Sequence, residues 1–158
     1  MASLDLFKFT PFRLNRLAAE VSAELSTEYA GRYGLDVPGW RVLATLGFRG
    51  EPCTAQYISH CTRTHKSTIS RAVITLMERG LVERIENEND RREFWLQLTR
   101  EGTALYQELI PPLLAKEAEI LSCLSAKEQK EFAAALTKIE RRLNLIQNAA
   151  EKTKPEPY

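Results

Sequence analysis

The chain has no apolar run approaching the roughly 18 residues that a membrane-spanning helix requires. Its N-terminus lacks the basic, apolar and small-residue succession of a secretory signal. Its three cysteines, Cys53, Cys61 and Cys123, do not fall at metal-ligand spacing and suit a reducing compartment. These absences predict a soluble, cytoplasmic protein that does not meet a membrane. Histidine is scarcer still: His60 and His65 are the only two. A zinc site needs three or four ligands, no cysteine or carboxylate cluster supplies the rest, and Cys61 is read as facing inward. No metal and no other cofactor is therefore expected. No nucleophile, base and orienting group stand in a recognisable pattern, which sets catalysis aside. Internal repeats and low-complexity tracts are also missing.

A length of 158 residues predicts one domain. Hydrophobic content of 44% and charged content of 27% are ordinary for a globular chain. The net charge of +1 gives no overall basic character. Its distribution says more than its sum. Between Glu51 and Glu78 there is no acidic residue, while Arg63, Lys66 and Arg71 lie inside that interval. Such segregation leaves one cationic face, which a two-fold dimer would present twice.

The interval opens the stretch around which the chain is organised, residues 64–102. Ile69, Ala72, Val73, Leu76 and Met77 recur at helical spacing. Thr64 is the expected N-cap and Gly80 the expected left-handed stop. The opposite face of this helix carries Lys66, Ser67, Ser70, Arg71 and Thr75, with no carboxylate among them. Thr68 either joins them or faces the preceding turn. Hydroxyls and arginine suit phosphate contact, and arginine also reads guanine edges in a major groove. Next, LVERIE and EFWLQLT read as strands flanking a polar NENDRR tip, a β-hairpin with Asp90, Arg91 and Arg92 at its end. A basic hairpin beside a groove-reading helix is how a winged helix adds a minor-groove or backbone contact.

The run STISRAVITLMERGLVER followed by NDRREFWLQLTREG resembles the MarR family of bacterial winged helix-turn-helix regulators. That family's Asp, Arg, Arg and then Leu-x-Leu-Thr-x-x-Gly fall on Asp90, Arg91, Arg92, Leu96, Leu98, Thr99 and Gly102, and the likeness covers roughly residues 10–147. It implies a mainly α fold with a small β-hairpin wing, a winged helix-turn-helix over 38–98, and dimerisation helices over 11–34 and 99–148. It implies double-stranded DNA and a second copy of the chain as partners. It also implies that Asp90 braces an arginine while one of Arg91 and Arg92, with Arg92 favoured, enters the minor groove. Some relatives bind aromatic acids in a cleft between the dimerisation and DNA-binding lobes. Here Asn15, Arg16, Trp40 and Arg41 would line it, an indole wall with an arginine partner for a carboxylate. Peroxide-sensing members carry a reactive cysteine early in the first helix, where this chain has none.

Taken in order, residues 1–10 carry no cap or period and are read as a loose arm. A helix is expected from about Pro11 to Tyr33, ending at Gly34, with Leu14, Leu17, Ala18, Val21 and Leu25 as its stripe. A second begins near Pro38 and ends at Gly50, with Trp40, Leu43 and Leu46 inward and Gly47 costing about 1 kcal/mol against alanine. Thr54 caps a short helix through Cys61, the first of the helix-turn-helix, whose turn falls at Thr62 and Arg63. Thr99 caps a long helix through Leu124, bent but not broken at Pro111 and Pro112. Ser125 and Glu128 form a capping box that opens a last helix with the stripe Phe132, Leu136, Ile139, Leu143 and Ile146. Residues 149–158 are read as a disordered tail.

The expected DNA contacts are therefore Thr54, Arg63, His65, Lys66, Ser67, Thr68, Ser70, Arg71, Thr75, Asp90, Arg91 and Arg92. The expected activity is sequence-specific regulation of transcription, in the form of a repressor released by a small aromatic or phenolic carboxylate or its coenzyme A thioester. Three alternatives stand beside it. The cysteines could form a redox switch, although Cys53 and Cys61 read as small buried residues. The winged helix could serve protein contacts with its groove face unused, or the set on helices 1 and 2 could be plain core and ion pairs.

Overall fold

The computed structural model describes residues 4–86 and 94–145. Seven helices and a two-stranded antiparallel sheet make up the described part. The chain divides into two compact units, residues 1–117 and 118–158. Among the described residues no helix is long and apolar enough to cross a membrane.

The first unit begins with a difference from expectation. Residues 5–9 are not loose: the amides of Lys8 and Phe9 donate to the Asp5 carbonyl at 3.1 and 3.0 Å, and the Phe7 ring meets Phe12 edge-on at 5.7 Å. Helix α1 (Thr10–Ser26) follows, with proline in its first turn. It stops short of Tyr33. The Ser26 and Thr27 hydroxyls donate back to the carbonyls of Ala23 and Glu24 at 2.6 and 2.7 Å, offering the last turn an alternative to helix continuation. The break lets Tyr29 drop into the core at 1% exposure, and a single turn, α2 (Ala30–Tyr33), then ends at Gly34 with φ +61°.

Asp36 caps α3 (Val37–Arg49) by accepting from the Gly39 amide at 2.7 Å, and Gly50 ends it in the left-handed conformation. Its apolar face, Val42, Leu43 and Leu46, forms the centre of the core. The interior Gly47 has a packing reason: a Cβ there would lie 2.5 Å from the Tyr106 ring. Thr54 caps α4 (Ala55–Thr62), accepting from the Tyr57 amide at 3.1 Å, and Ile58 is fully buried. Helix α5 (Lys66–Glu78) buries Ile69, Ala72, Val73 and Leu76 against α3 and α4. Withdrawing Ile69, Val73 and Leu76 from water contributes about 1.5–3 kcal/mol each.

After α5 the chain reverses as expected at Gly80. The Gly80 amide donates to Met77 and the Leu81 amide to Leu76, both at 2.9 Å, the paired bonds of a Schellman ending. Strands β1 (Val82–Glu86) and β2 (Phe94–Leu98) pair with Val82 opposite Leu98 and Glu86 opposite Phe94. Cys53 adds a bridge the sequence did not announce, exchanging backbone bonds with Leu96 at 3.0 and 2.8 Å. Thr99 then caps α6 (Arg100–Leu121) through the Gly102 amide at 3.0 Å. The helix runs on through Pro111 and Pro112 and places Leu109 and Leu113 in the core.

In the second unit α6 ends three residues before the expected Leu124. The Ser122 hydroxyl and amide both turn back to the Glu119 carbonyl, at 2.7 and 3.1 Å, closing the helix early. The expected capping box is present: the Glu128 amide donates to Ser125 Oγ at 3.3 Å and the Ser125 amide donates to Glu128 at 2.8 Å. The Ser125 amide, and then the Ser125 hydroxyl donating to the same oxygen at 2.8 Å, hold the Glu128 carboxyl below its usual range. Helix α7 (Ala126–Arg142) leaves Phe132, Leu136 and Ile139 exposed, as is Leu143 just beyond it. Ile146 and the expected tail lie outside the described residues.

Candidate nucleic-acid interface

Helix α5 separates its two faces as the spacing predicts. Lys66, Ser67, Arg71 and Thr75 are exposed, and Thr68 and Ser70 are half-buried at the edge of the apolar face. The Thr75 hydroxyl donates to the Arg71 carbonyl at 3.2 Å, leaving its lone pairs outward.

The helix start differs from expectation by one residue. The cap is His65, whose Nδ1 accepts from the Ser67 amide at 3.2 Å and lies 2.8 Å from Ser67 Oγ. In the tautomer in which Nδ1 accepts the backbone amide, the ring hydrogen sits on Nε2 and Ser67 Oγ is the donor. In that form His65, an exposed residue, keeps an N–H donor that the cap does not use. Thr64, the expected cap, is engaged elsewhere: its Oγ1 accepts from Arg41 at 2.9 Å and donates to the Thr62 carbonyl at 3.3 Å. Between α4 and α5, Arg63 adopts φ +50°, a left-handed conformation unusual outside glycine and asparagine. Its side chain is exposed, as are those of Lys66 and Arg71. Thr54 is half-buried, and its Oγ1 accepts the Tyr57 amide at the α4 cap.

Asp90, Arg91 and Arg92 lie outside the described residues. The hairpin that leads to them is described up to Glu86 and Phe94, and there the Arg84 guanidinium stacks 5.0 Å from the Phe94 ring. Sequence reasoning missed Arg79. It donates to the Tyr33 and Gly34 carbonyls at 2.6 and 3.1 Å, so an arginine just after α5 braces the end of α2. Between these segments a cavity of about 380 Å³ opens along α5, lined by Thr68, Arg71, Thr75, Asp36 and Pro38.

The four residues expected around a small ligand form two separate pairs. On α1, Asn15 is exposed and the Arg16 guanidinium sits 5.4 and 5.7 Å from the Phe7 and Phe12 rings. On α3, Trp40 stacks on Tyr29 at 5.6 Å, while Arg41 reaches Thr64. Tyr29 was also missed, although Val21, Leu25 and Tyr29 share one i, i+4 row that carries the stripe past the helix end.

The cysteines divide as well. Cys53 is buried as expected, and burial pushes its thiol up to about 12. Cys61 is exposed, which corrects the inward reading. One turn before Cys61, the Tyr57 pKa is raised, first by burial and then by Cys61. Cys123 is exposed. Among the described residues no group of His, Cys, Asp or Glu is placed to hold a metal ion.

Two helices joined by a tight turn, a following antiparallel hairpin and an outer face on the second helix that carries no acid before its last residue, Glu78, define a winged helix-turn-helix of the DNA-binding kind. A family model described as the MarR family matches residues 33–93. The HTH-type transcriptional regulator PecS of Dickeya dadantii is 30% identical over 132 residues, covering 82% of this chain and 79% of PecS. A MarR-family transcriptional regulator from Silicibacter pomeroyi matches with a TM-score of 0.75 at 25% identity, over 93% of this chain and 100% of the other. CouR from Rhodococcus jostii, solved with p-coumaroyl-CoA bound, shares the fold with a TM-score of 0.72 at 22% identity, over 87% of this chain and 95% of CouR. The chain belongs to the MarR family of winged-helix DNA-binding transcription regulators.

Proposed function

We propose that this regulator works as a homodimeric repressor of a pseudo-palindromic operator. Each copy lays α5 in a major groove and its wing arginines, Arg91 or Arg92, in the adjoining minor groove. The observation that carries this reading is the outer face of α5, where Lys66, Ser67 and Arg71 stand exposed beside Arg63 and His65 with no carboxylate between Glu51 and Glu78. Two copies would set these helices one helical turn apart along one face of DNA, about 34–36 Å. A second copy is supported by the apolar residues left open on α1 and α7, Leu14 and Leu17 on the first and Phe132, Leu136 and Ile139 on the second.

The effector we propose is a small aromatic or phenolic carboxylate, or its coenzyme A thioester, as CouR takes p-coumaroyl-CoA. Trp40 and Tyr29 supply a stacking surface, with Arg41, and Arg16 with Asn15 from α1, as the polar partners. The ligand would favour a separation of the two α5 helices that no longer fits the half-site spacing, a shift of population between two states. The test is a fluorescence-anisotropy titration on the DNA beside the protein's own gene at two salt concentrations. It is then repeated with hydroxybenzoates, hydroxycinnamates and their thioesters. Tight, salt-steep binding released by one compound is the expected result. Specific binding that no compound releases removes the effector class, and absence of specific binding favours a winged helix used for protein contacts.

A further inference from the structure

Three of the hydrogen bonds that hold the turn before α5 meet at Thr64, and one of the three comes from outside the helix-turn-helix. The Thr64 amide donates to the Ser59 carbonyl at 3.2 Å, and Ser59 Oγ donates to the Thr64 carbonyl at 2.7 Å. Both tie the turn only to α4, the helix immediately before it. The third runs from the Arg41 guanidinium to Thr64 Oγ1 at 2.9 Å, spanning 23 residues. Arg41 stands on α3, whose next residues, Val42 and Leu43, are wholly buried at 0% exposure. Its bond therefore fixes the turn to the body of the domain.

We propose that Arg41 is a positioning residue for DNA reading: through Thr64 it sets where the first turn of α5 stands, and so where Lys66, Ser67 and Thr68 meet the groove. The proposal rests on the DNA-binding reading above. Three features of the turn make the contact matter. Arg63 holds the left-handed conformation there, a state an arginine leaves readily when unsupported. The following cap is a histidine in place of the stronger Ser, Thr, Asp or Asn. The bond to Thr64 is charge-assisted, and the guanidinium presents its donors in a fixed fork. A groove-reading side chain tolerates only about 0.5 Å of misplacement before its contacts loosen.

The test uses the full chain with Thr64→Val, Thr64→Ser, Arg41→Met and the Thr64→Val/Arg41→Met double variant, against DNA enriched by the wild-type protein from a randomised pool. We expect Thr64→Val and Arg41→Met each to weaken binding to the enriched DNA about tenfold, the size of one lost base-edge contact. The double variant binds no worse than either single one, and Thr64→Ser, which keeps the hydroxyl, binds as the parent does. Non-specific affinity and the salt slope stay unchanged, because neither side chain neutralises a phosphate in this role. Melting temperatures stay within about two degrees of the parent. Amide exchange in the free protein speeds up at residues 62–68 in both single variants and nowhere else. Wild-type affinity in Thr64→Val and Arg41→Met, additive losses, a reduced salt slope in Arg41→Met, or a loss that follows the melting temperature would each overturn the proposal. A wild-type chain that enriches no sequence overturns the DNA reading and its positioning step together, and unchanged exchange at residues 62–68 independently overturns the claim that Arg41 orders the turn.

Discussion

His65 Nδ1 accepts the Ser67 amide at 3.2 Å, so α5 is capped by an imidazole on an exposed residue whose other nitrogen the cap does not use. One ring is thus asked to cap and to present a donor, and two substitutions separate the roles. His65→Asp supplies a better cap and removes the donor, placing a negative charge where a phosphate would come. It should raise stability by up to about 1 kcal/mol and lower DNA affinity at least tenfold. His65→Ala loses both. Denaturant melts read beside anisotropy titrations check the pair, and a His65→Asp protein with normal affinity would show that the imidazole meets no phosphate.

Arg63 makes the same kind of trade through the backbone. At φ +50° it occupies a conformation that costs a non-glycine residue about 1–2 kcal/mol. Arg63→Gly should recover part of that, stabilising the fold by roughly 1 kcal/mol in chemical denaturation. If the side chain meets a phosphate, the same variant loses affinity evenly across DNA sequences and its salt slope falls by about one. An unchanged slope would remove Arg63 from the interface.

The apolar rows of α3 and α5, the caps at Thr54, Thr99 and Ser125 and the stops at Gly34, Gly50 and Gly80 were all legible, because each rests on chemistry within one turn of chain. What failed to show was decided across the fold. Thr64 and His65 both have acceptors before α5, and only the approach of Arg41 from α3 commits Thr64 and leaves the cap to histidine. The break at Ser26 and Thr27 goes with the burial of Tyr29, the residue just before α2, against Trp40 of α3, a contact that local spacing does not announce. Cys61 follows Ile58 by three residues and so reads inward, yet α4 ends beside it and its last turn is open. The partners that the α1 and α3 arginines take also lay beyond local spacing: Arg16 stands over Phe7 and Phe12, and Arg41 reaches Thr64.

Cys53 and Cys61 should differ sharply toward electrophiles. With its pKa pushed up to about 12, Cys53 loses about tenfold in thiolate for every pH unit below that value. At pH 8, iodoacetamide should label Cys61 and Cys123 in the native protein and reach Cys53 only after unfolding, as read by mass spectrometry. The pH dependence follows in sign. A folded pKa raised above the ordinary thiol value of 9.0 means that native Cys53 holds its proton more tightly than the unfolded chain does. Its contribution to stability is full below pH 9 and is lost as pH climbs toward 12. Cys53→Ala should flatten that alkaline decline, and native labelling of Cys53 at pH 8 would contradict the burial on which both expectations rest.

Gly102 closes the Leu-x-Leu-Thr-x-x-Gly run for a steric reason. A Cβ at this position would overlap the carbonyl of Leu81, the residue at the end of the α5 turn, while Thr99 bonds Gly80 and Leu81 from the same side. The start of α6 is thereby pressed against the chain reversal that launches the hairpin. Gly47 is tight in another way, against the ring of Tyr106, which is a side chain and can rotate. Alanine at either site gains about 1 kcal/mol of helix propensity. At Gly47 that gain should offset much of the strain, and shortening Tyr106 to leucine should relieve the remainder. At Gly102 the obstacle is backbone, so Gly102→Ala should be destabilised by about 1–3 kcal/mol with no side-chain rescue, and its DNA affinity should fall with the displaced hairpin. Equal melting temperatures for the two alanine variants would mean that α6 can slide off Leu81 at little cost, and the wing would then not be anchored by this contact.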